Sequence, residues 1–333
     1  MPLEEAAVAS LAEKVAGLKE ALNTVIFGQE ELVDLVVTGL LARGHILLEG
    51  LPGLGKTELV KGLAKTLALE HKRIQFTPDL LPGDITGNPV LQETESGRSF
   101  VFQEGPLFAN LVLADEINRA SPKTQSALLE AMQERRVTVL GEPHELPSPF
   151  FVLATQNPIE LEGTYPLPEA QLDRFLFKLE VFRNSVETLE RIVADREMGI
   201  EPEADTVLSK ADLEAISAAV REIYLPDIVA NYIARIVDAT HGGVEAAEAI
   251  KFGASPRAAL GMASAIKAKA LMNGRINASF EDVEEVAVPV LQHRIILHYE
   301  ARIEGKSTRE IVQQLLEQVP RQPMELPATL KES

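Results

Sequence analysis

Apolar positions follow two rhythms along this chain, and the change falls near residue 185. In the first part, short apolar runs typical of strands alternate with stretches in which apolar residues recur every three or four positions, as in amphipathic helices. The predicted helices are 3–23, 30–41, 57–69 and 121–134, and the predicted strands are the run before Gly50, 72–76, 111–116, 150–154 and 176–181. This alternation predicts an α/β domain in which helices flank a sheet.

Two stretches interrupt the alternation with turn-forming residues. Residues 90–103 carry Glu95-Ser-Gly97 between two strand-like runs, and residues 137–150 carry Gly141-Glu-Pro143. Each is predicted to be a β-hairpin, inserted on an edge or face of the sheet where it can contact something else.

After residue 185 only helical spacing is visible, and no strand-like alternation is found. The predicted helices are 186–197, 210–223, 227–240, 256–272, 280–298 and 308–318. We therefore expect three parts: an α/β domain over 1–200, an all-α domain over 201–320 and a flexible tail over 321–333.

The strongest chemical pattern is a glycine-rich turn between a predicted strand and a predicted helix. Gly50, four residues, and then Gly55-Lys56-Thr57 form the P-loop spacing, in which backbone N–H groups surround phosphate oxygens. Lys56 is predicted to reach the terminal phosphates, and the Thr57 hydroxyl to hold Mg²⁺. The predicted nucleotide contacts are Leu51, Pro52, Gly53, Leu54, Gly55, Lys56, Thr57 and Glu58.

A second candidate for nucleotide contact lies upstream of the P-loop. Ile26, Phe27 and Gly28 break the first helical pattern. Apolar residues at this place can form the wall of an adenine pocket, or they can simply pack in the core. The sequence leaves both interpretations open.

Polar side chains follow two other buried strands. The run 111–114 ends in Asp115-Glu116, and the run 150–154 ends in Thr155-Gln156-Asn157. Because open α/β sheets bind ligands at the carboxyl ends of their strands, we expect these groups to face the nucleotide. Asp115 would hold Mg²⁺ through its water shell, Glu116 would polarise the attacking water, and Asn157 would orient that water. Turn chemistry before Pro158 is the alternative for Asn157.

The composition limits the kinds of partner and site that the chain can have. With 32 Lys and Arg against 50 Asp and Glu, the formal charge is −18, which disfavours nucleic acid as a partner. There are no cysteines, so disulfides and thiolate metal sites are excluded. The first residues lack a basic signal-peptide region and no apolar run is long enough for a membrane span. We expect a cytoplasmic protein.

The order of these motifs resembles the AAA+ ATPases and, within them, the MoxR family. The stretches that carry the resemblance cover nearly the whole chain and are residues 50–57, Ala114-Asp-Glu-Ile-Asn-Arg-Ala120, Ala154-Thr-Gln-Asn-Pro158, Glu169-Ala-Gln-Leu-Asp-Arg-Phe175 and Ser255-Pro-Arg257. The resemblance implies a P-loop NTPase fold. Its α/β nucleotide-binding core, over 1–200, would contain a five-stranded parallel sheet flanked by helices and two hairpin insertions, and a helical lid would follow over 201–320. It also implies homo-oligomeric rings, usually hexamers, with ATP and Mg²⁺ at the subunit interfaces.

Further residue roles follow from the resemblance alone. Arg174 matches the arginine finger that reaches the γ-phosphate in the neighbouring subunit, with a surface salt bridge to Asp173 as the alternative. Arg257 matches the second sensor of the lid, acting on its own nucleotide or on a neighbour's. Arg119 is either an additional interface arginine or part of a solvated face.

The implied function is ATP-driven remodelling of partner proteins. MoxR-like proteins resemble chaperones for metal-cofactor insertion or complex maturation, with partners that carry von Willebrand factor A domains. The alternative is a magnesium-chelatase-type AAA+ motor subunit, which shares the hairpin insertions.

Overall fold

The computed structural model describes residues 4–50, 55–94, 97–157, 164–196 and 204–322. Helices and strands alternate through the first part of the chain. Its elements are α1 (Glu5–Val25), α2 (Glu30–Leu41), β1 (Ile46–Glu49), α3 (Lys56–Thr66), β2 (His71–Gln75), α4 (Pro82–Thr86), β3 (Gly87–Thr94), β4 (Gly97–Glu104), β5 (Leu111–Asp115), α5 (Pro122–Glu134), β6 (Arg136–Val139), β7 (Glu142–Glu145), β8 (Phe151–Gln156), α6 (Glu169–Leu172), β9 (Phe177–Glu180) and α7 (Val186–Asp195).

The second part, which we call the lid, is mostly helical. Its elements are α8 (Lys210–Glu222), α9 (Asp227–Ala239), β10 (Ile250–Phe252), α10 (Pro256–Met272), α11 (Phe280–Leu291), β11 (Ile296–Leu297), α12 (Tyr299–Ile303) and α13 (Thr308–Gln318).

A five-stranded sheet lies at the centre of the first part, with the strand order β2-β5-β8-β1-β9. All four pairings are parallel; for example, Leu48 of β1 lies opposite Thr155 of β8, and Ala114 of β5 opposite Ala154 of β8. The carboxyl ends of β1, β5 and β8 therefore meet along one edge of the sheet, which is where such sheets bind ligands. The predicted α/β fold with a five-stranded parallel sheet is confirmed.

Each face of the sheet has its own apolar core, because successive strand residues point to opposite faces. Ile46, Leu48 and Leu113 belong to the core that includes α1, α2 and α3. Leu47 and Val112 belong to the core under α5. The first core continues into the lid through α8, α9, α10, α11 and α13. The lid is thus anchored to the α1–α2 side of the molecule by shared burial.

Both predicted hairpins are present. β3 pairs with β4 and β6 pairs with β7, each antiparallel. The Phe102 ring of β4 stacks on the His144 ring of β7, with centroids 4.0 Å apart and planes inclined by 20°. The two insertions therefore touch each other through aromatic side chains.

The predicted helical lid is confirmed, and it also holds two short strands that the sequence did not reveal. β10 and β11 pair antiparallel within the lid. The helix predicted over 280–298 ends at Leu291, and the chain then turns before β11. β10 has three residues and β11 has two, which is too short for alternation to be visible in the sequence.

The predicted boundary between residues 200 and 201 lies outside the described residues, as do residues 323–333 of the predicted tail. The Arg321 side chain, at the start of that tail, donates to the carboxylates of Glu281 and Glu284 at 2.7–2.8 Å. Within the described parts of the chain, the structure has no helix long and apolar enough to cross a membrane.

Candidate active site

The P-loop joins the end of β1 to the start of α3. Gly55 precedes α3 with φ +83°, a left-handed conformation that glycine adopts without a Cβ clash. A Cβ added at Gly50 would lie 2.8 Å from the Val181 backbone oxygen, so the turn runs against the end of β9. The predicted contacts Leu51, Pro52, Gly53 and Leu54 lie outside the described residues.

A cavity of about 400 Å³ opens beside this turn, and we call it the P-loop cavity. Its lining comes from the P-loop, the start of α3 and the residues at or just beyond the carboxyl ends of β5 and β8, together with one residue of β2. The lining residues are Gly55, Lys56, Thr57, Glu58, Arg73, Asp115, Glu116 and Asn157. The structure therefore brings together seven residues that the sequence predicted to surround the triphosphate and its metal ion.

Lys56 lies among oxygen atoms. Its Nζ donates to the Gly50 backbone oxygen at 2.7 Å. Burial lowers the pKa of the Lys56 amine, whereas the nearby carboxylates of Asp115, Glu116 and Glu49 raise it. An ammonium group held in this way still has donors available for a phosphate in the cavity.

Asp115 is oriented through both carboxylate oxygens. Oδ1 accepts a hydrogen bond from the Thr155 hydroxyl at 2.6 Å, and Oδ2 accepts one from an Arg73 guanidinium nitrogen at 2.7 Å. Mg²⁺ in nucleotide sites takes one or two protein oxygen ligands and completes its shell with phosphates and water. A carboxylate at Asp115 and a hydroxyl at Thr57, on one cavity wall, fit that requirement.

Glu116 has an uncommon backbone conformation, with φ +57° in the left-handed region. Its N–H donates to the Thr155 hydroxyl at 2.8 Å. Its carboxylate accepts hydrogen bonds from Gln75 at 3.1 Å and Arg119 at 3.0 Å. The structure thus places Arg119 in an ion pair with Glu116 of its own chain.

Asn157 follows β8 and is 7% exposed. Its backbone oxygen accepts a hydrogen bond from the Asn118 side chain at 3.3 Å. Its placement beside Glu116 in the cavity lining agrees with the predicted water-orienting role, which stays a prediction. Pro158, on which the alternative interpretation depends, lies outside the described residues.

The three residues proposed for the adenine pocket lie in different surroundings. Ile26 is buried, and its Cδ1 would lie 3.8 Å from a Cβ added at Gly55. Phe27 is covered by two guanidinium groups, from Arg191 at 4.6 Å and Arg196 at 4.7 Å. Gly28 lines another cavity, of about 450 Å³, between the start of α2, the end of β9 and lid helix α11. Ile26 thus lies against Gly55, which is one of the described residues of the P-loop.

Arg174 and Arg257 lie away from the P-loop cavity. Arg174 precedes β9, at the amino end of the sheet, and lines a separate cavity of about 380 Å³ beside α5 and β6. In a strand of four residues the first and last Cα atoms are about 10 Å apart, and Arg174 lies three residues before the first. An Arg257 guanidinium nitrogen lies 3.7 Å from the Asp173 carboxylate, next to Arg174. The two arginines therefore belong to the same end of the molecule, opposite the P-loop cavity.

Three residues that orient the acidic pair were not predicted from the sequence: Arg73, Gln75 and Thr155. Arg73 and Gln75 are two positions apart on β2, which neighbours β5, so both point to the same side. Their alternation with Ile74 and the polar Thr155 at a strand end were visible signals. Their partners are about forty residues away along the chain and were not visible.

Comparison with known proteins agrees with this geometry. Residues 45–177 match the family described as "ATPase family associated with various cellular activities (AAA)", and residues 244–315 match the AAA lid domain. The P-loop, the acidic strand end and the helical lid define an AAA+ ATPase.

Individual relatives show which family of AAA+ ATPases the chain belongs to. The chain is 43% identical over 304 residues to the uncharacterized protein YeaC of Bacillus subtilis, covering 90% of this chain and 92% of that protein. It is 43% identical over 319 residues to Chaperone MoxR1 of Mycobacterium tuberculosis (93% and 83%) and 31% identical to Protein MoxR of Paracoccus denitrificans (86% and 90%). A crystal structure of a Cytophaga hutchinsonii protein superposes with a TM-score of 0.86 at 42% identity, covering 94% of this chain and 96% of that chain. The chain belongs to the MoxR family of AAA+ ATPases.

Proposed function

We propose that this ATPase is a chaperone-like ring motor that hydrolyses ATP between adjacent subunits and remodels partner proteins. One observation carries the proposal. The groups suited to bind and activate ATP lie at the carboxyl end of the sheet, whereas Arg174 and Arg257 lie at its amino end. A complete hydrolysis site therefore needs two copies of the chain.

Within one subunit, the residues of the P-loop cavity bind ATP and activate the water that attacks its terminal phosphate. Lys56 and the backbone N–H groups at the start of α3 hold the phosphates. Mg²⁺, held by Thr57 and Asp115, would neutralise phosphate charge. Glu116 polarises the attacking water, and Asn157 holds that water in line. Thr155 fixes both acidic residues through one hydroxyl.

The adjacent subunit supplies the arginines. A guanidinium group matches the charge that develops on phosphoryl oxygens in the transition state, and its contribution is roughly 10³–10⁵ in rate. We assign this role to Arg174, with Arg257 beside it on the same surface. This assignment makes Arg257 act on a neighbour's nucleotide rather than on its own.

The proposed assembly, location, clients and cellular task rest on family membership. The relative named Chaperone MoxR1 supports a chaperone-like role. We assign a hexameric ring in the cytoplasm, protein clients that carry von Willebrand factor A domains, and a task in metal-cofactor insertion or complex maturation. Affinity capture with the Glu116→Gln protein and ATP tests the clients, since a slow ATPase keeps its partner bound.

Mixing two inactive variants tests the shared site. Arg174→Ala keeps its own P-loop cavity and Glu116→Gln keeps its arginines, so a mixed interface of the correct order is complete. In rings with random order about a quarter of the interfaces are of that kind, and we expect turnover to recover accordingly in co-expressed, doubly tagged assemblies. Full activity of Arg174→Ala alone, or no recovery in mixed rings, would contradict the proposal.

A further inference from the structure

Three consecutive lid residues bind the chain segment that carries Arg174. Directly after α11, the Gln292 amide donates to the Lys178 backbone oxygen at 2.5 Å, and His293 Nε2 donates to the Phe175 backbone oxygen at 3.0 Å. Arg294 follows them and binds the same segment. We call these three residues the lid clamp.

Arg294 is the centre of the clamp, and its side chain is 3% exposed. Each of its five N–H donors has an acceptor. Nε donates to the Asp173 carboxylate at 2.7 Å, and the other four donate to the backbone oxygens of Asp173 (3.1 Å), Phe175 (2.5 Å), Leu176 (3.0 Å) and Val290. No other side-chain type offers five donors in a planar fork.

These acceptors surround Arg174. The backbone oxygens of Asp173 and Phe175 lie on either side of it in the chain, so the clamp fixes the backbone from which the Arg174 side chain projects. The remaining oxygen of the Asp173 carboxylate accepts a hydrogen bond from the Ser255 hydroxyl at 3.1 Å and lies 3.7 Å from Arg257. Asp173 thus connects the start of α10, the residue after α11 and the base of Arg174.

Stability alone is a weak reason for this arrangement. Burying a guanidinium–carboxylate pair costs much of the attraction that it creates, and apolar side chains of similar size stabilise such places at least as well. His293 adds a further cost, because its Nδ1 is buried without a partner among the described residues. What a fully bonded Arg294 provides is a single backbone geometry around Arg174.

We propose that Arg294 is a positioning residue that aims Arg174 at the neighbouring subunit's nucleotide and, through Asp173, moves Arg257 together with it. The lid and the arginine surface then shift as one unit. This inference rests on the proposed function, in which Arg174 completes the neighbour's site. It adds to the hydrolysis step a lid residue that acts through Arg174 rather than on the nucleotide itself.

Arg294→Lys is the test, because it keeps the charge and loses the fork. A displacement of about 1 Å at a reacting group costs roughly 10²-fold in rate, and we expect a loss of kcat of that order. The dissociation constant for ATP should stay within about threefold, since the P-loop cavity of the same subunit is untouched. Mixing with Glu116→Gln subunits should restore turnover, as we also expect for Arg174→Ala. The double variant Arg174→Ala/Arg294→Lys should lose much less kcat than the product of the two single losses, because Arg294 acts mainly through Arg174.

Arg275→Lys is the matched control. Arg275 forms a two-pronged pair with Asp282, which is 1% exposed, at the opposite end of α11. Arg275→Lys disturbs an arginine–carboxylate pair of the lid without touching the segment that carries Arg174, and we expect kcat to change less than about threefold. Equal losses of kcat in Arg275→Lys and Arg294→Lys would mean that reduced lid stability, rather than a displaced Arg174, causes the loss.

A second variant covers the case in which Arg294→Lys does not fold. Asp173→Asn keeps the shape, removes one ionic partner of Arg294 and should lower kcat about tenfold, again restored by Glu116→Gln subunits. Wild-type kcat in the folded clamp variants, or a loss that mixing does not restore, overturns the clamp while the proposed function stands. Wild-type kcat in Arg174→Ala overturns the proposed function itself.

Discussion

The two ends of the central sheet are built in opposite ways. At the carboxyl end, the side chains of Lys56, Asp115 and Glu116 line an open cavity. At the amino end, the segment around Arg174 is held by the buried guanidinium of Arg294 and by neighbouring lid donors. The first arrangement suits a ligand that enters and leaves. The second suits one fixed geometry presented to something outside the subunit. Variants at the two ends should therefore fail in different ways.

The largest effect is expected from Arg174→Ala. We expect kcat to fall roughly 10³–10⁵-fold while ATP binding changes little, because the phosphates are held at the other end of the sheet. Steady-state phosphate release and equilibrium titration with ATP measure the two quantities. Lys56→Ala is the contrasting variant and should lose ATP binding itself. Similar losses of ATP binding in Arg174→Ala and Lys56→Ala would contradict the assignment of different roles to the two ends of the sheet.

Glu116→Gln is expected to lower kcat roughly 10²–10⁴-fold, because the amide cannot take a proton from the attacking water. The amide has nearly the same shape and can still contact Gln75, so ATP binding should persist. Single-turnover hydrolysis measures the chemical step directly. Turnover at the wild-type rate would show that another group polarises the water.

Thr155→Val, also at the carboxyl end of the sheet, is expected to lower ATPase activity by a smaller factor. The variant removes the hydroxyl that donates to Asp115 and accepts from the Glu116 N–H. Loss of such an orienting partner costs about 10–100-fold in metal affinity or activity, and the unpaired buried N–H costs about 1–3 kcal/mol in unfolding free energy. Magnesium titration of ATPase activity and urea unfolding test both. Thr155→Ser, which keeps the hydroxyl, should behave almost like the wild type.

The smallest effect on activity is expected at the amino end, where a buried histidine makes the stability of the fold depend on pH. His45, before β1, is fully buried, donates from Nε2 to the Met132 oxygen and accepts from the Val152 N–H at Nδ1. Burial, with help from the nearby Arg135 charge, lowers the pKa of His45 to about 4. The unfolded chain binds a proton near pH 6.5 and the folded chain does not, so this stability is full above pH 6.5 and is lost as the pH falls toward 4. The slope is about 1.4 kcal/mol per pH unit.

His45→Gln isolates this contribution from the carboxylates that titrate at lower pH. Glutamine can both donate and accept but does not ionise. Urea unfolding between pH 7 and pH 5 should show a shallower loss of stability in the variant. Parallel curves for the two proteins would mean that His45 carries no such dependence.

The carboxyl end could be predicted from the sequence and the amino end only in part. Gly55-Lys56-Thr57, Asp115 and Asn157 are local patterns at strand ends, and the parallel sheet brings strand ends together by rule. Arg174 and Arg257 were located by family resemblance, without their surroundings. The Arg294 contacts join residues 118–121 positions apart. In the sequence, Gln292-His-Arg294 continues a helical pattern, which is why α11 was predicted to run past its true end at Leu291.

The separation of the two ends is tested most directly by a structure of the assembled Glu116→Gln protein with bound ATP. The account predicts that the Arg174 guanidinium lies at hydrogen-bond distance, about 3 Å, from the γ-phosphate held by the Lys56 of a neighbouring subunit. An Arg174 that contacts the nucleotide of its own subunit, or points away from every nucleotide in the assembly, would contradict it.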